Sequence, residues 1–164
     1  MYAAGVLLLG FLLPAASAWT EHHYVHGAAP LFDLVGKWLV FWATGVRLTI
    51  AGIRQQARPR LTSQGIFGMT SDDPLPFVRE LGVANLAAGL VGLFVLWRPD
   101  FVLPAALSSA VFYFLAGVWH AAHKNRGFNR SVALYSDLLL GLLFAAYVGL
   151  TIAANAGFAI VIPR

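Results

Sequence analysis

The amino-acid sequence predicts an all-α integral membrane protein, a single domain over residues 1–164 built as a bundle of five transmembrane helices. Of its 164 residues, 59% are hydrophobic and only 11% are charged, whereas a soluble domain is about half apolar and a quarter charged. The apolar residues fall into five runs, each near the roughly 20 residues that a helix needs to cross a bilayer. No run alternates as a barrel strand would.

Turn residues and charges separate the five runs. Pro30 precedes the second run, and Asp72-Asp73-Pro74 precedes the third, where we expect an aspartate cap followed by a proline in the first turn. Arg98-Pro99-Asp100 separates the third run from the fourth. No cation precedes the first run, unlike a signal peptide, so we expect it to be a retained helix. The predicted helices cover about residues 2–18, 31–53, 77–97, 101–123 and 131–162.

The basic residues predict the orientation of these helices. Seven of them flank the second and fourth connections, which lie on one side of the predicted bundle. By the positive-inside rule that side is cytoplasmic, which places the N-terminus inside and the C-terminus outside. A basic pI with cations between apolar runs does not indicate a nucleic-acid surface. The seven residues are Arg54, Arg58, Arg60, Arg79, Lys124, Arg126 and Arg130.

Charged and titratable side chains inside the apolar runs predict one polar layer. Each charge near the bilayer centre costs about 2.5–3.5 kcal/mol on insertion scales, so such residues need partners. The layer lies within two helical turns of the predicted cytoplasmic ends, and we expect its members to face the interior, where neighbouring helices supply hydrogen bonds. Its members are Arg47, Glu80, His120, His123 and Asp137.

Three interpretations of this layer stay open. In the first, Arg47 neutralises one of the two acids and His120 hydrogen-bonds the other. In the second, Glu80, His120 and Asp137 converge on a ligand or a proton, with Asn85 or Tyr113 above them. In the third, His120 and His123 join the two carboxylates in a metal site. Because the chain has no cysteine, thiolate metal sites and iron–sulfur clusters are excluded.

The predicted outer side carries a second group of potential ligands. His22, His23 and His26 follow one another closely after the first run, and histidines are common ligands of copper and zinc. The alternative is that they are solvated histidines of a loop. Nearby, Asp33 and Lys37 have the i, i+4 spacing of an ordinary helical ion pair.

Small residues recur every four positions along the fifth run. In lipid, close contact between helices needs such faces, so the row predicts either internal packing or a docking face for another membrane subunit, a flat pigment or a quinone. A shorter row, Ala84, Ala88 and Gly92, lies in the third run. The longer row, which includes Asp137, consists of Ala133, Gly141, Ala145, Gly149, Ala153 and Gly157.

The connection between the second and third runs, residues 58–76, is longer than usual. It contains the apolar patch Ile66-Phe67-Gly68-Met69. Two placements are open: on the membrane surface, with Arg58 and Arg60 at anionic head groups, or over the polar layer as a lid.

The segment Arg79-Glu80-Leu81-Gly82, followed by Asn85 and Gly89, together with Gly117 and His120 in the fourth run, resembles small bacterial inner-membrane proteins of uncharacterised families, similar to the four-helix DoxX-type proteins. The resemblance covers roughly residues 45–150. It implies a compact helical bundle in the bacterial inner membrane in which Glu80, Asn85 and His120 act together. It implies no established activity.

Two functions are expected from these observations. The first is a non-catalytic accessory or structural subunit of a larger bacterial membrane complex of respiratory or photosynthetic type, because the chain is small and lacks a complete catalytic set. The alternative is a stand-alone transporter or oxidoreductase that uses a buried Glu80–His120–Asp137 layer. No cofactor is required by the sequence, although contact with a metal, a pigment or a quinone is left open. The expected partners are membrane lipid and other membrane subunits, without nucleic acid.

Overall fold

The computed structural model describes residues 2–123 and 127–156, and every regular element within them is helical. Five of these helices are long and apolar enough to cross a membrane, which confirms the predicted all-α fold and its number of long apolar helices. A 3-10 turn, Pro99–Phe101, leads into the fourth of them. The five are α1 (Tyr2–Tyr24), α2 (Leu31–Ala57), α3 (Leu75–Phe94), α4 (Val102–Ala122) and α5 (Phe128–Asn155).

The helix ends differ from the predicted ones because a helix continues past its apolar run wherever the polar residues beyond it favour helix. The end of α1 lies at Tyr24 rather than at residue 18, so His22 and His23 lie on a helix and not in a loop. The end of α2 lies at Ala57 rather than at residue 53, through Arg54 and two glutamines that are good helix formers. The predicted end of the fifth run, and Lys124 and Arg126, lie outside the described residues.

Two wide π turns interrupt the first two helices. One, Leu8–Leu12, comes just before Pro14, which has no N–H to donate and whose ring crowds the preceding turn. The π turn accommodates this proline within a continuous helix. The second, Val40–Val46, ends directly before Arg47. Such turns are rare and are frequent at functional sites.

Glycines allow α2 and α3 to cross in backbone contact. A Cβ atom on Gly45 would lie 2.9 Å from the backbone of Gly92, and one on Gly52 would lie 2.7 Å from the carbonyl oxygen of Gly82. Neither position can therefore carry a side chain without moving a helix. The row predicted for α3 is correct at Gly92 but wrong at Ala84, which is exposed.

The small-residue row of α5 divides into two parts. At Gly141 an added Cβ would lie 2.6 Å from the backbone of Phe114 in α4, so this part, with buried Ala133, serves internal packing. Ala145 and Gly149 are exposed, and a Cβ on Gly149 would meet nothing within 4 Å. Ala153 is half-buried, and Gly157 lies outside the described residues.

An ion pair joins α1 to α2 at the end of the bundle that carries Tyr24 and Leu31. The ammonium of Lys37 donates to Glu21 Oε1 at 2.6 Å, and the indole N–H of Trp38 donates to Glu21 Oε2 at 2.7 Å. The predicted partner of Lys37, Asp33, lies on an exposed part of α2. A tertiary contact thus replaces the expected pairing along one helix.

Candidate functional site

A buried ion pair joins α2 to α5. The Arg47 guanidinium donates from Nη2 to Oδ1 of Asp137 at 2.8 Å, and the two side chains are 13% and 9% exposed. The pairing expected of Arg47 with one acid is therefore present, and the acid is Asp137. The ion pair lies toward the end of the bundle where α1 and α5 begin and α2 ends. We call this the basic end, because it carries five arginines: Arg54, Arg58, Arg60, Arg79 and Arg130.

His120 of α4 completes a cluster around the carboxylate of Asp137. Its side chain is buried, with Nε2 4.0 Å from Oδ2 of Asp137, a distance too long for a hydrogen bond. The hydroxyl of Ser136 donates to the other carboxylate oxygen at 3.4 Å. The interior position expected for His120 and Asp137 is thus observed, and Arg47, His120 and Asp137 together are called the charged layer.

Tyr113 and Asn85 flank the charged layer. The ring of Tyr113 lies 5.0 Å from the guanidinium carbon of Arg47, within the range of a cation–π contact, and its hydroxyl donates to the carbonyl of Ala43. Asn85 donates to the side-chain oxygen of Gln55 at 2.8 Å, and both are buried. Both residues expected above the layer therefore lie in the interior, each with a partner on α2.

Glu80 does not belong to the layer, and the expectation that it faces the interior is wrong. Its side chain is exposed. The interior face of α3 is the one that carries Gly82 and Asn85, which contact α2. Glu80 precedes Gly82 by two residues, about 200° around a helix, and so lies on the opposite side.

The predicted histidine metal sites are not assembled in the part of the chain that the structure describes, which contains no group of three or more His, Asp or Glu side chains able to hold a metal ion. At the end of the bundle opposite the basic end, the Nδ1–H of His23 donates to the carbonyl of Trp19 at 3.0 Å, and His26 lies beyond the end of α1. His123 lies just past the end of α4, and its Nδ1–H donates to the carbonyl of Trp119 at 3.0 Å.

A cavity of about 640 Å³ adjoins the charged layer, a size typical of small-molecule sites. Residues of all five helices and of the α2–α3 connection line it. The polar side chains that line it include Arg47, Asn85, His120 and Asp137. The apolar side chains that line it include Val6, Leu9, Ile50, Ile66, Phe112 and Trp119.

The connection between α2 and α3 covers part of this cavity, as the lid placement predicted. Phe67 lines the cavity, and its ring lies 5.5 Å from that of Trp119 and 6.1 Å from that of His120. Arg60 and Asp72 form an exposed, two-pronged salt bridge across the connection. The aspartate cap predicted within Asp72-Asp73-Pro74 is absent, since Pro74 itself is the N-cap residue of α3 and no side chain caps the helix. The carboxylate of Asp72 binds Arg60 instead.

Comparison with known proteins assigns the chain to a family. A model of a family of unknown function, DUF6790, matches residues 2–157. The chain belongs to the DUF6790 family. No curated protein and no solved structure matches the chain. Because the match spans α1 to α5, the five-helix bundle with its cavity lies within the unit that defines DUF6790, and the expectation of an uncharacterised family is confirmed.

Two residues that line the cavity of this DUF6790 protein carry buried nitrogens without partners. Among the described residues, nothing hydrogen-bonds Nη1 of Arg47 or Nδ1 of His120. Buried polar atoms in proteins are almost always hydrogen-bonded, and exceptions often mark a place where water or a ligand binds. The charged layer therefore has unused hydrogen-bonding capacity beside a cavity.

Sequence reasoning missed several residues of the DUF6790 site. Gln55 accepts the hydrogen bond of Asn85, and Gly5 of α1 lines the cavity. Arg54 also lines the cavity. The spacing of seven residues between Arg47 and Arg54 is two helical turns and places both on one face of α2, a signal that was present in the sequence. Nothing in the sequence indicates that Gly5 lines a cavity.

Proposed function

We propose that this DUF6790 protein binds an amphipathic small molecule drawn from the membrane, with the molecule held in the cavity beside the charged layer. The observation that carries the proposal is the cavity itself, whose lining combines apolar side chains with the polar side chains of Arg47, His120 and Asp137. Ligand sites in proteins commonly combine apolar walls with a few polar groups that fix orientation. A molecule with an apolar body and a hydrogen-bonding head fits a lining of both kinds.

The proposal retains one part of the transporter or oxidoreductase hypothesis, namely a ligand at the buried layer. Glu80 is no longer a member, and Arg47 takes its place beside His120 and Asp137. Binding at this layer requires no reaction, and the proposal therefore makes the protein a binding protein. A relationship to DoxX-type four-helix bundles also remains a proposal.

A second candidate function is an accessory subunit of a larger bacterial membrane complex of respiratory or photosynthetic type. The exposed part of α5 supports it, because small residues at Ala145 and Gly149 would let a partner helix approach closely. Native mass measurement after extraction in mild detergent tests it. Reproducible co-migration with other membrane proteins is expected, and a monomer or homo-oligomer alone would contradict it.

We further propose that the protein is a multi-pass protein of the bacterial inner membrane, with its basic end in the cytoplasm. The support is the concentration of arginines at that end, according to the positive-inside rule. The chain contains no cysteine, so single cysteines at the exposed positions Tyr24 and Gln64 can be labelled selectively. Labelling from opposite sides is expected, and labelling of both from the same side would overturn the topology.

The binding proposal is tested by filling the cavity. Gly5 lines it, and a Cβ on Gly5 would meet nothing within 4 Å, so the side chain of Gly5→Phe enters open space. Gly149→Phe is the matched control, because Gly149 also has open space around it but lies away from the cavity. Amphiphiles retained by each purified protein are extracted and measured by mass spectrometry.

We expect wild type and Gly149→Phe to retain one amphiphile per protein and Gly5→Phe to lose it. Helical content and gel-filtration profile verify that each variant is folded. Equal retention by all three proteins, or retention by none, would refute the proposal. Gly5→Leu provides a smaller filling side chain if Gly5→Phe does not fold.

A further inference from the structure

We infer that the ligand of the cavity is a lipid with one acidic head group, a phosphate or a carboxylate, and that Arg54 recognises this head. The inference rests on the proposed function, because it specifies the chemistry of the molecule in the same cavity. Charge balance, helix geometry and the apolar residues of the lining support it.

The charge balance of the cavity favours an anion. Among the described residues that line it, Arg47, Arg54 and Asp137 carry formal charges. The charge of Arg47 is compensated by Asp137 at 2.8 Å. The guanidinium of Arg54 forms no hydrogen bond or ion pair with another described residue. With His120 neutral, the lining therefore has one uncompensated positive charge, which an acidic head group would neutralise.

The spacing along α2 places two guanidinium groups at different depths of the cavity. Arg54 follows Arg47 by two turns on one face, about 10 Å along the helix axis, with Ile50 between them on the cavity wall. Arg54 is exposed, whereas Arg47 is deeper and largely buried. An acidic head at Arg54 thus keeps contact with water, and an acceptor farther along the molecule reaches the depth of Arg47.

The deeper part of the cavity matches the remainder of such a molecule. Nη1 of Arg47, without a partner among the described residues, suits an oxygen acceptor such as an ester carbonyl. The apolar residues Val6 and Leu9 of α1 line the cavity beside Gly5, where an acyl chain would lie. A neutral amphiphile would use these walls equally well but would leave the charge of Arg54 uncompensated.

Three single-chain probes with one chain length separate the alternatives: palmitate, 1-palmitoyl lysophosphatidate and hexadecanol. Their dissociation constants are measured at pH 8 in a neutral detergent by native mass spectrometry. Proteins compared are wild type, Arg54→Gln, Gly5→Phe and Arg58→Gln. Arg58 is the matched control, an exposed arginine four residues from Arg54 that does not line the cavity.

We expect wild type and Arg58→Gln to bind at least one acidic probe about 10-fold more tightly than hexadecanol, the scale of a charge-assisted hydrogen bond. Arg54→Gln should abolish this preference while hexadecanol still binds. Which acid binds more tightly, palmitate or lysophosphatidate, identifies the source of the acidic head. Gly5→Phe should weaken all three probes.

The outcomes distinguish failure of the inference from failure of the proposed function. If hexadecanol binds wild type as tightly as both acids, and Gly5→Phe weakens all three, the acidic head is refuted and the cavity proposal survives. A preference for acids that persists in Arg54→Gln refutes the role of Arg54. If no probe binds wild type, or if Gly5→Phe leaves binding unchanged, both proposals are refuted.

Discussion

Removal of one partner of the Arg47–Asp137 ion pair should destabilise the bundle strongly. The substitution is Asp137→Asn, which keeps the shape of the side chain but leaves the charge of Arg47 buried. With 13% and 9% of the two side chains exposed and 2.8 Å between nitrogen and oxygen, the pair is a buried one, and breaking such pairs costs about 3–5 kcal/mol. We expect the free energy of unfolding to fall by an amount in this range.

Removal of both charges should restore much of that loss. In Arg47→Met with Asp137→Asn no charge remains buried at this position, and replacing a buried pair by apolar side chains is often neutral or stabilising. Arg47→Met alone should destabilise the bundle, because it leaves the Asp137 carboxylate buried without its partner. The assay is reversible unfolding in mixed micelles with increasing sodium dodecyl sulfate, followed by circular dichroism, on wild type, both single variants and the double variant.

The exposed pair Arg60–Asp72 supplies the control cycle. Its two side chains are 64% and 51% exposed, and exposed ion pairs show little coupling in such cycles. A loss below about 1 kcal/mol for Asp137→Asn, the size of an ordinary single substitution, together with additive effects of the two changes, would refute the buried-pair interpretation.

Three further predictions follow from the packing and the loop. Glu80→Gln should change the free energy of unfolding by less than about 0.5 kcal/mol, because Glu80 is exposed. A larger loss would indicate that the Glu80 side chain is buried in the interior. Gly92→Ala should lower that free energy by about 1–3 kcal/mol, because its Cβ would lie 2.5 Å from a backbone nitrogen of α2, and Gly149→Ala should leave it nearly unchanged. The salt bridge with Arg60 lowers the pKa of the Asp72 carboxyl below its usual value. The salt bridge should therefore order the α2–α3 connection at neutral pH, and this order should be lost as the pH falls through that lowered pKa. Asp72→Asn should remove the order at every pH. Hydrogen exchange of the connection, corrected for intrinsic rates, measures both effects, and identical exchange in wild type and Asp72→Asn at pH 7 would contradict the prediction.

The number and type of helices could be predicted from the sequence because the bilayer requires long apolar runs, and these are visible in composition alone. The predicted ends of α1 and α2 were less accurate, because polar residues such as Arg54 continue the helix beyond the apolar run. The π turns were not predictable, since they depend on how each helix packs.

The side of a helix that faces the interior was the main source of error in the site. Glu80 was placed inside because its depth suited the layer, but depth does not fix orientation. The glycines of α3 do fix it, since Gly82 and Gly92 contact α2. Lys37 was paired with its neighbour along the helix, whereas its partner Glu21 is 16 residues away on another helix. The cavity was out of reach of the sequence, because it is a property of the packed helices together.

Electron cryomicroscopy of the protein in lipid nanodiscs, enlarged with a bound antibody fragment, tests the central claim most directly. The account predicts one elongated density inside the cavity, passing beside Gly5 and ending within hydrogen-bonding distance of the charged layer or of Arg54. The same map of Gly5→Phe should lack this density while α1 to α5 keep their positions. A wild-type cavity that is closed by side chains, or that holds only water-sized densities, would contradict the account.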